Sequence, residues 1–258
     1  MTRFWTADHH FGHTNIIKFA DRPFADVDDM NEALIYQWNE TVSPDDTVMI
    51  LGDLVMGHAE ETLKLIPRLN GTKKLVAGNH DRVFADNTLP GYVERWQPKY
   101  EAAGLEIISH GEVAYADFYG HKVSASHFPY DADERHGDRF AQWHPADEGD
   151  WLFHGHVHGA WKVRNRQINV GVDVWNYKPV SDQQLLDIIE GNHKFAGLEE
   201  HRDQFGREWR GTCTCGYVDD WWKSKNAAYQ KLTDHFIALP EFQAIIAAEQ
   251  ARRLLTGE

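Results

Sequence analysis

Thr47-Val48-Met49-Ile50-Leu51-Gly52-Asp53 is the stretch that fixes the reading of this 258-residue chain. Its short apolar run fits a strand buried on both faces. A glycine then lets the backbone turn sharply and come close, and a carboxylate follows at once. Related layouts recur along the chain. Arg3–Ala7 reads as a buried strand that stops at Asp8-His9-His10, and Lys73–Ala77 as another that stops at Gly78-Asn79-His80-Asp81. His121–Ala125 runs into Ser126-His127, and Trp151–His154 into Gly155-His156-Val157-His158. Neighbouring strands that end at one edge of a sheet bring such distant turns together. A single cluster of Asp, Asn and His could then hold two divalent cations about 3.5–4 Å apart and hydrolyse a phosphate ester.

Between these strings the pattern alternates. Asp26–Thr41 has helical spacing, with Asp26 or Asp28 as N-cap, and Glu60–Leu69 reads as a second helix. This βαβα rhythm predicts a mixed or parallel sheet with helices outside. The later part has strands in succession: Leu105–Ser109, Glu112–Asp117 and His121–Ala125, separated by Gly111 and Gly120, then Trp151–His154 and Gln167–Val170. Asp131–Asp150 is polar and reads as a long loop near the site, and Ser181–Glu190 as a helix with an N-cap serine. Two packed sheets flanked by helices fit both halves. The composition shifts near Gly191, so the expected division is a first domain over 1–192 and a small module over 197–258.

Composition narrows the function. Hydrophobic residues make up 42% of the chain, enough for a real core, and the formal charge of −14 repels nucleic acid. Phosphate binding must therefore come from a local cationic site. Two cysteines one residue apart form no disulfide framework, which suits a cytoplasmic protein. No apolar stretch approaches the length of a membrane span, so no membrane partner is expected.

The residue types suit the chemistry. Oxygen ligands together with imidazoles fit Mn²⁺, Fe, Zn²⁺ or Ni²⁺ and not Ca²⁺. Asp8 and His10, two apart on an extended chain end, project to the same side. The carboxylate of Asp53 has two oxygens and can bridge two ions, and Asn79 can donate a neutral amide oxygen. His156 and His158 share a face, although each can serve a different ion.

All five strings, in this order, resemble the calcineurin-like metallophosphoesterase superfamily over about residues 1–180. The resemblance implies an α/β fold, a four-layer αββα sandwich of two mixed sheets, with the site at the strand ends. Carried over, Asp8, His10, Asp53 and His158 hold one ion, and Asp53, Asn79, His127 and His156 hold the other. His80 matches the histidine that faces the leaving group, and Asp81 orients a ligand or His80. The reaction implied is attack on the phosphate ester by a hydroxide bridging the two ions.

One departure bears on the substrate. Members that act on phosphoproteins resemble Gly-Asp-x-x-Asp-Arg-Gly at the second string, where the arginine grips phosphate. Here the string is Gly52-Asp53-Leu54-Val55-Met56-Gly57-His58. Weight moves to phosphodiesters of nucleotide type or other small phosphodiesters, with a phosphomonoesterase, a nuclease or a metal-binding scaffold as alternatives. Thr6 to Ile17, followed by Arg22-Pro23-Phe24, also resembles a largely uncharacterised bacterial and phage branch. His13, Asn15 and Arg22 become candidates for contact with the substrate phosphate; His13 and Asn15 could equally cap the following helix. His9 is expected to point away from the ions, and Asp173 lies on the site rim. His110, His121, His136, His144 and His154 read as ordinary surface or core histidines.

The tail carries Cys213-Thr214-Cys215-Gly216 on what reads as a hairpin, then an amphipathic segment over Asn226–Leu239. A ββα-like module is expected. His201, Cys213, Cys215 and His235 could hold one structural Zn²⁺, or the two cysteines are simply reduced. Arg202, Arg207, Arg210, Lys223 and Lys225, beside Trp209, Trp221 and Trp222, could face nucleic acid, which Asp219, Asp220 and the net charge oppose.

Overall fold

The computed structural model describes residues 1–87, 89–131 and 140–191, together with the backbone of two strands further on. In chain order the first elements are β1 (Arg3–Thr6), α1 (Ile16–Phe19), α2 (Val27–Thr41), β2 (Thr47–Leu51), α3 (Ala59–Thr62), β3 (Thr72–Val76), α4 (Tyr92–Ala102) and β4 (Leu105–Ser109). They are followed by β5 (Ala114–Phe118), β6 (His121–Ala125), β7 (Trp151–His154), β8 (Val163–Arg164), β9 (Gln167–Asn169), β10 (Val180–Ser181), α5 (Asp182–Ile189), β11 (Phe195–Asp203) and β12 (Gly206–Cys213).

Two five-stranded sheets carry the site, one in the order β10-β1-β2-β3-β4 and one in the order β5-β6-β7-β9-β8. Both are mixed. In the first, β1 to β4 run parallel and β10 antiparallel to β1. In the second, β6, β7 and β9 run parallel, with β5 and β8 antiparallel at the edges. The expected α/β architecture of two mixed sheets with helices is observed.

Aromatic rings connect the sheets. Trp5 of β1 meets Phe118 of β5 edge-on at 6.3 Å and Phe153 of β7 at 4.9 Å. Its indole N–H donates to Asp182 Oδ1 at 2.7 Å, which satisfies the one polar atom of a buried ring. The opposite face of β1 and β2 packs through Phe4, Val48 and Ile50 in one cluster with Met30, Leu34 and Trp38 of α2. Asp26 caps α2 by accepting from the N–H groups of Asp28 and Asp29, a contact of about 1 kcal/mol.

Some elements differ from expectation. The segment read as one helix over Glu60–Leu69 is α3 followed by a 3-10 turn over Leu63–Arg68, where Pro67 removes a backbone donor. The helix α4 was not predicted: Pro98 and a mixed polar face hide its period. The two-residue strands β8 and β10 exist through their antiparallel partners and leave no periodic signal.

The chain forms two compact units, Met1–Asp182 and Gln183–Glu258, so the division falls at the start of α5 and not after it. In the second unit β11 and β12 form an antiparallel hairpin, as expected around Cys213. Its register corrects the zinc proposal. His201 pairs with Glu208 whereas Cys213 pairs with Phe195. Five positions along a strand span roughly 17 Å, so one tetrahedral ion cannot take both. Cys215 and His235 lie outside the described residues, as do the segment 226–239 and the tail's Trp221, Trp222, Lys223 and Lys225. Among the described residues, no helix is long and apolar enough to cross a membrane.

Candidate metal centre

The turns after the strands interlock. Asp8 N–H donates to the Gly52 carbonyl at 3.1 Å and His10 N–H to the Asp53 carbonyl at 2.9 Å, joining the turns after β1 and β2. The second sheet docks on the same point: His156 N–H donates to both carboxylate oxygens of Asp8, at 3.1 and 3.0 Å. Asp8, His10, Asp53, His156 and His158 all adopt left-handed backbone, with φ between 50° and 70°. Such residues cost of order 1–3 kcal/mol each and persist where surrounding structure holds them. Two glycines make room. A Cβ on Gly78 would lie 2.4 Å from Asp53 Oδ1, and one on Gly155 would lie 2.7 Å from Asp8 Oδ2.

Asp53 lies at the centre. Its Oδ2 is 3.5 Å from His10 Nε2, 3.4 Å from His127 Nε2 and 4.0 Å from His80 Nε2. Asp8, His10 and His158 place donor atoms within 4.8 Å of one another, and so do Asp8, Asp53 and His127. Asn79 Oδ1 is 3.0 Å from His127 Nε2. The rings of His127 and His156 are 5.2 Å apart, and those of His10 and His158 5.1 Å. All seven expected ligands therefore converge from both sheets.

The donor set fits cations. His127 Nδ1 lies 2.9 Å from the Leu51 carbonyl and donates to it. Its Nε2, Asp53 Oδ2 and Asn79 Oδ1 then bring lone pairs to one place, which needs a positive charge between them. Both ring nitrogens of His10 are buried without a hydrogen-bond partner, a costly state that a bound ion relieves. In the metal-free protein, protons partly answer this demand. Burial alone would lower His127, but Asp53 and Asp8 raise it to about 9. Burial would likewise raise Asp53, yet His127, His80 and His10 hold its carboxyl well below the usual range. Burial keeps His10 neutral, the form that binds metal.

Around the ligands the structure refines several expectations. Asp81 does not touch His80. It accepts the backbone N–H groups of Asp53 at 2.8 Å, Leu54 at 3.2 Å and Gly78 at 2.9 Å, and so braces the turns that carry Asp53 and Asn79. His80 is 41% exposed at its side chain and lines a cavity of about 800 Å³ beside the cluster. His13 also lines it. Asn15 does not: it is exposed, sits at the start of α1 and makes no side-chain cap bond. Arg22 is buried beneath the site and gives its Nε–H to Asp173 at 2.7 Å, so it is not a substrate contact either. A one-dimensional pattern marks such an arginine as cationic but not as buried. His9 points away from the cluster, stacked on Phe11 at 5.3 Å. Asp173 Oδ2 is 2.9 Å from His158 Nδ1. Sequence reasoning missed the apolar part of the cavity wall, including Phe19, Met56 and Phe140, because its residues come from separate segments.

No family model matches the chain. It is similar to the Gene 66 protein of Mycobacterium phage L5, with 32% identity over 214 residues, which is 77% of this chain and 99% of that protein. The Gene 66 protein of Mycobacterium phage D29 is 35% identical over 209 residues, 74% of this chain and all of that protein. An uncharacterized protein of Methanocaldococcus jannaschii, MJ1445, is 31% identical over 71% of this chain and 89% of its own length. A solved structure of a protein of unknown function from Aquifex aeolicus shares the fold, with a TM-score of 0.55 at 22% identity over 72% of this chain and 98% of that one. The chain belongs to the family of the mycobacteriophage Gene 66 proteins and MJ1445.

Proposed function

We propose that this protein is a two-metal phosphoesterase of the calcineurin-like kind, acting on small or nucleotide-type phosphodiesters. The observation that carries the reading is the convergence of seven donor side chains, Asp53 among them, with His127 Nε2, Asn79 Oδ1 and Asp53 Oδ2 brought to one place. The ring contacts of Trp5 with Phe118 and Phe153 support a four-layer αββα sandwich. Asp8, His10, Asp53 and His158 would hold one divalent ion, and Asp53, Asn79, His127 and His156 the other, as Mn²⁺, Fe, Zn²⁺ or Ni²⁺. Bound there, two cations activate water and neutralise phosphate charge.

The chain's own groups supply the rest. His80 sits at the cavity wall, beside the buried cluster but open to solvent, where it can give a proton to the departing oxygen. His13 is within the same cavity and can hydrogen-bond a phosphate oxygen. Among the described residues no Lys or Arg lines the cavity, and Met56 contributes to its wall. That favours a singly charged diester over a dianionic monoester, which gains more from an arginine grip. Phe19 and Phe140 offer apolar surface to the ester's organic substituents.

An aryl phosphodiester and the matching monoester, assayed with added Mn²⁺, test the reading. Diester turnover is expected, abolished by chelator. Strong monoester turnover with no diester turnover overturns the choice. His80→Ala should lower turnover by about 10²–10⁴-fold and leave metal content unchanged, and loss of metal would overturn its role.

A further inference from the structure

We infer that Arg22 is a positioning residue that holds one half of the metal pocket: it fixes His158 through Asp173 and the Asp8–His10 turn through two carbonyls. The inference rests on the two-metal reading and goes beyond it. The Arg22 side chain is wholly buried, and every N–H of its guanidinium has a partner. Nε donates to Asp173 Oδ1 at 2.7 Å, and Nη2 donates to Asp173 Oδ2 at 3.0 Å and to the Asp8 carbonyl at 2.6 Å. Nη1 donates to the His9 carbonyl at 2.9 Å and lies 3.5 Å from Met30 Sδ. A guanidinium has five N–H groups, so none is left for a substrate phosphate.

The partners explain what the arginine does. Asp8 and His10 both sit in left-handed backbone, at φ 59° and 53°. Arg22 anchors the carbonyls of that turn. Asp173 is almost as buried as Arg22, with its side chain 4% exposed, and a buried carboxylate stays charged only when paired. Arg22 supplies the pair. Asp173 can then accept the Nδ1–H of His158 at 2.9 Å, which leaves Nε2 as the nitrogen able to hold a cation. One fork-shaped cation therefore links the Asp8–His10 turn to a ligand 148 positions beyond it (158 − 10). Lysine, a point charge with three donors, cannot reproduce four oxygen contacts in this fork. The other half of the pocket does not use this device, because His127 is oriented by the Leu51 carbonyl.

The test is a calorimetric titration of the chelator-treated, full-length protein with Mn²⁺. Wild type should bind two ions. Arg22→Lys and Asp173→Asn should each weaken one site by about 10–100-fold, the effect usual for losing a ligand's hydrogen-bond partner, and leave the other site unchanged. A merely structural role would weaken both sites together, so equal loss at both overturns the inference. Two sites of unchanged affinity in both variants overturn it as well and leave the two-metal reading standing. A wild type that binds no Mn²⁺ overturns that reading and this inference with it. Should Arg22→Lys fail to fold, the nearly isosteric Asp173→Asn carries the same measurement.

Discussion

The two halves of the pocket are oriented by different kinds of group. On one side His127 is set by the Leu51 carbonyl, at the end of the same strand that leads to Asp53. On the other side His158 is set by a carboxylate, Asp173, which is itself gripped by Arg22. Main-chain orientation follows from strand placement alone and needs no particular side chain. Side-chain orientation needs two charged residues far apart in sequence, each buried and each dependent on the other. The first half is thus built into the sheet, and the second is added to it.

The largest test strikes Asp53, which the two-metal proposal places in both halves. Asp53→Ala should remove both ions together and drop turnover to the level of chelator-treated protein, read by elemental analysis and diester assay. Retention of one tightly bound ion would show that the halves are independent and that Asp53 does not bridge them. A smaller effect is expected at the main-chain brace. Asp81→Asn replaces a carboxylate that accepts three backbone N–H groups with an amide that has one oxygen, so buried donors lose partners. The cost should be about 1–3 kcal/mol, seen as a lower denaturation midpoint, with the site that includes Asn79 weakened more than the His158 side. Equal weakening on the two sides would blur the contrast between them.

Much of this was legible because ligands and strands are coupled in sequence. Thr47–Leu51, Leu105–Ser109, His121–Ala125 and Trp151–His154 are strands with the bounds read from their apolar runs. Their ends deliver Asp53, His127 and His156 without any tertiary information. Asp26 was legible as a cap for the same local reason. What was hidden depends on partners. Arg22 carries no mark that Asp173 will bury it, and Asp81 none that its carboxylate turns to three backbone donors and away from His80. The helix α4 was hidden by Pro98 and by a face that is only partly buried. The zinc set failed on register: spacing between Cys213 and His201 says nothing about which residues a hairpin sets opposite each other.

The smallest expected effect uses protons to tell the halves apart. In the metal-free protein burial alone would lower His127, but the carboxylates of Asp53 and Asp8 raise it to about 9. His158 is raised too: burial opposes it, while the hydrogen bond to Asp173 and the charge of Asp8 prevail. Both compare with 6.5 for an unstrained histidine. A group held more tightly by its proton in the folded state stabilises the fold fully below its unfolded pKa, and that contribution fades as pH rises through the folded value. Metal-stripped protein should therefore melt several degrees lower at pH 9 than at pH 6.5. Asp81, pushed up to about 7 by burial and by the charge of Asp53, acts in the same direction but mainly below that window. Divalent ions replace those protons, so Mn²⁺ affinity should rise with pH across the same range. Asp173→Asn removes the support for the proton on His158 and leaves that on His127, so the decline should shrink without vanishing. A melting temperature flat from pH 6.5 to 9 in stripped wild type would mean that the carboxylates do not hold those protons, and an unchanged slope in Asp173→Asn would mean that His127 alone accounts for it.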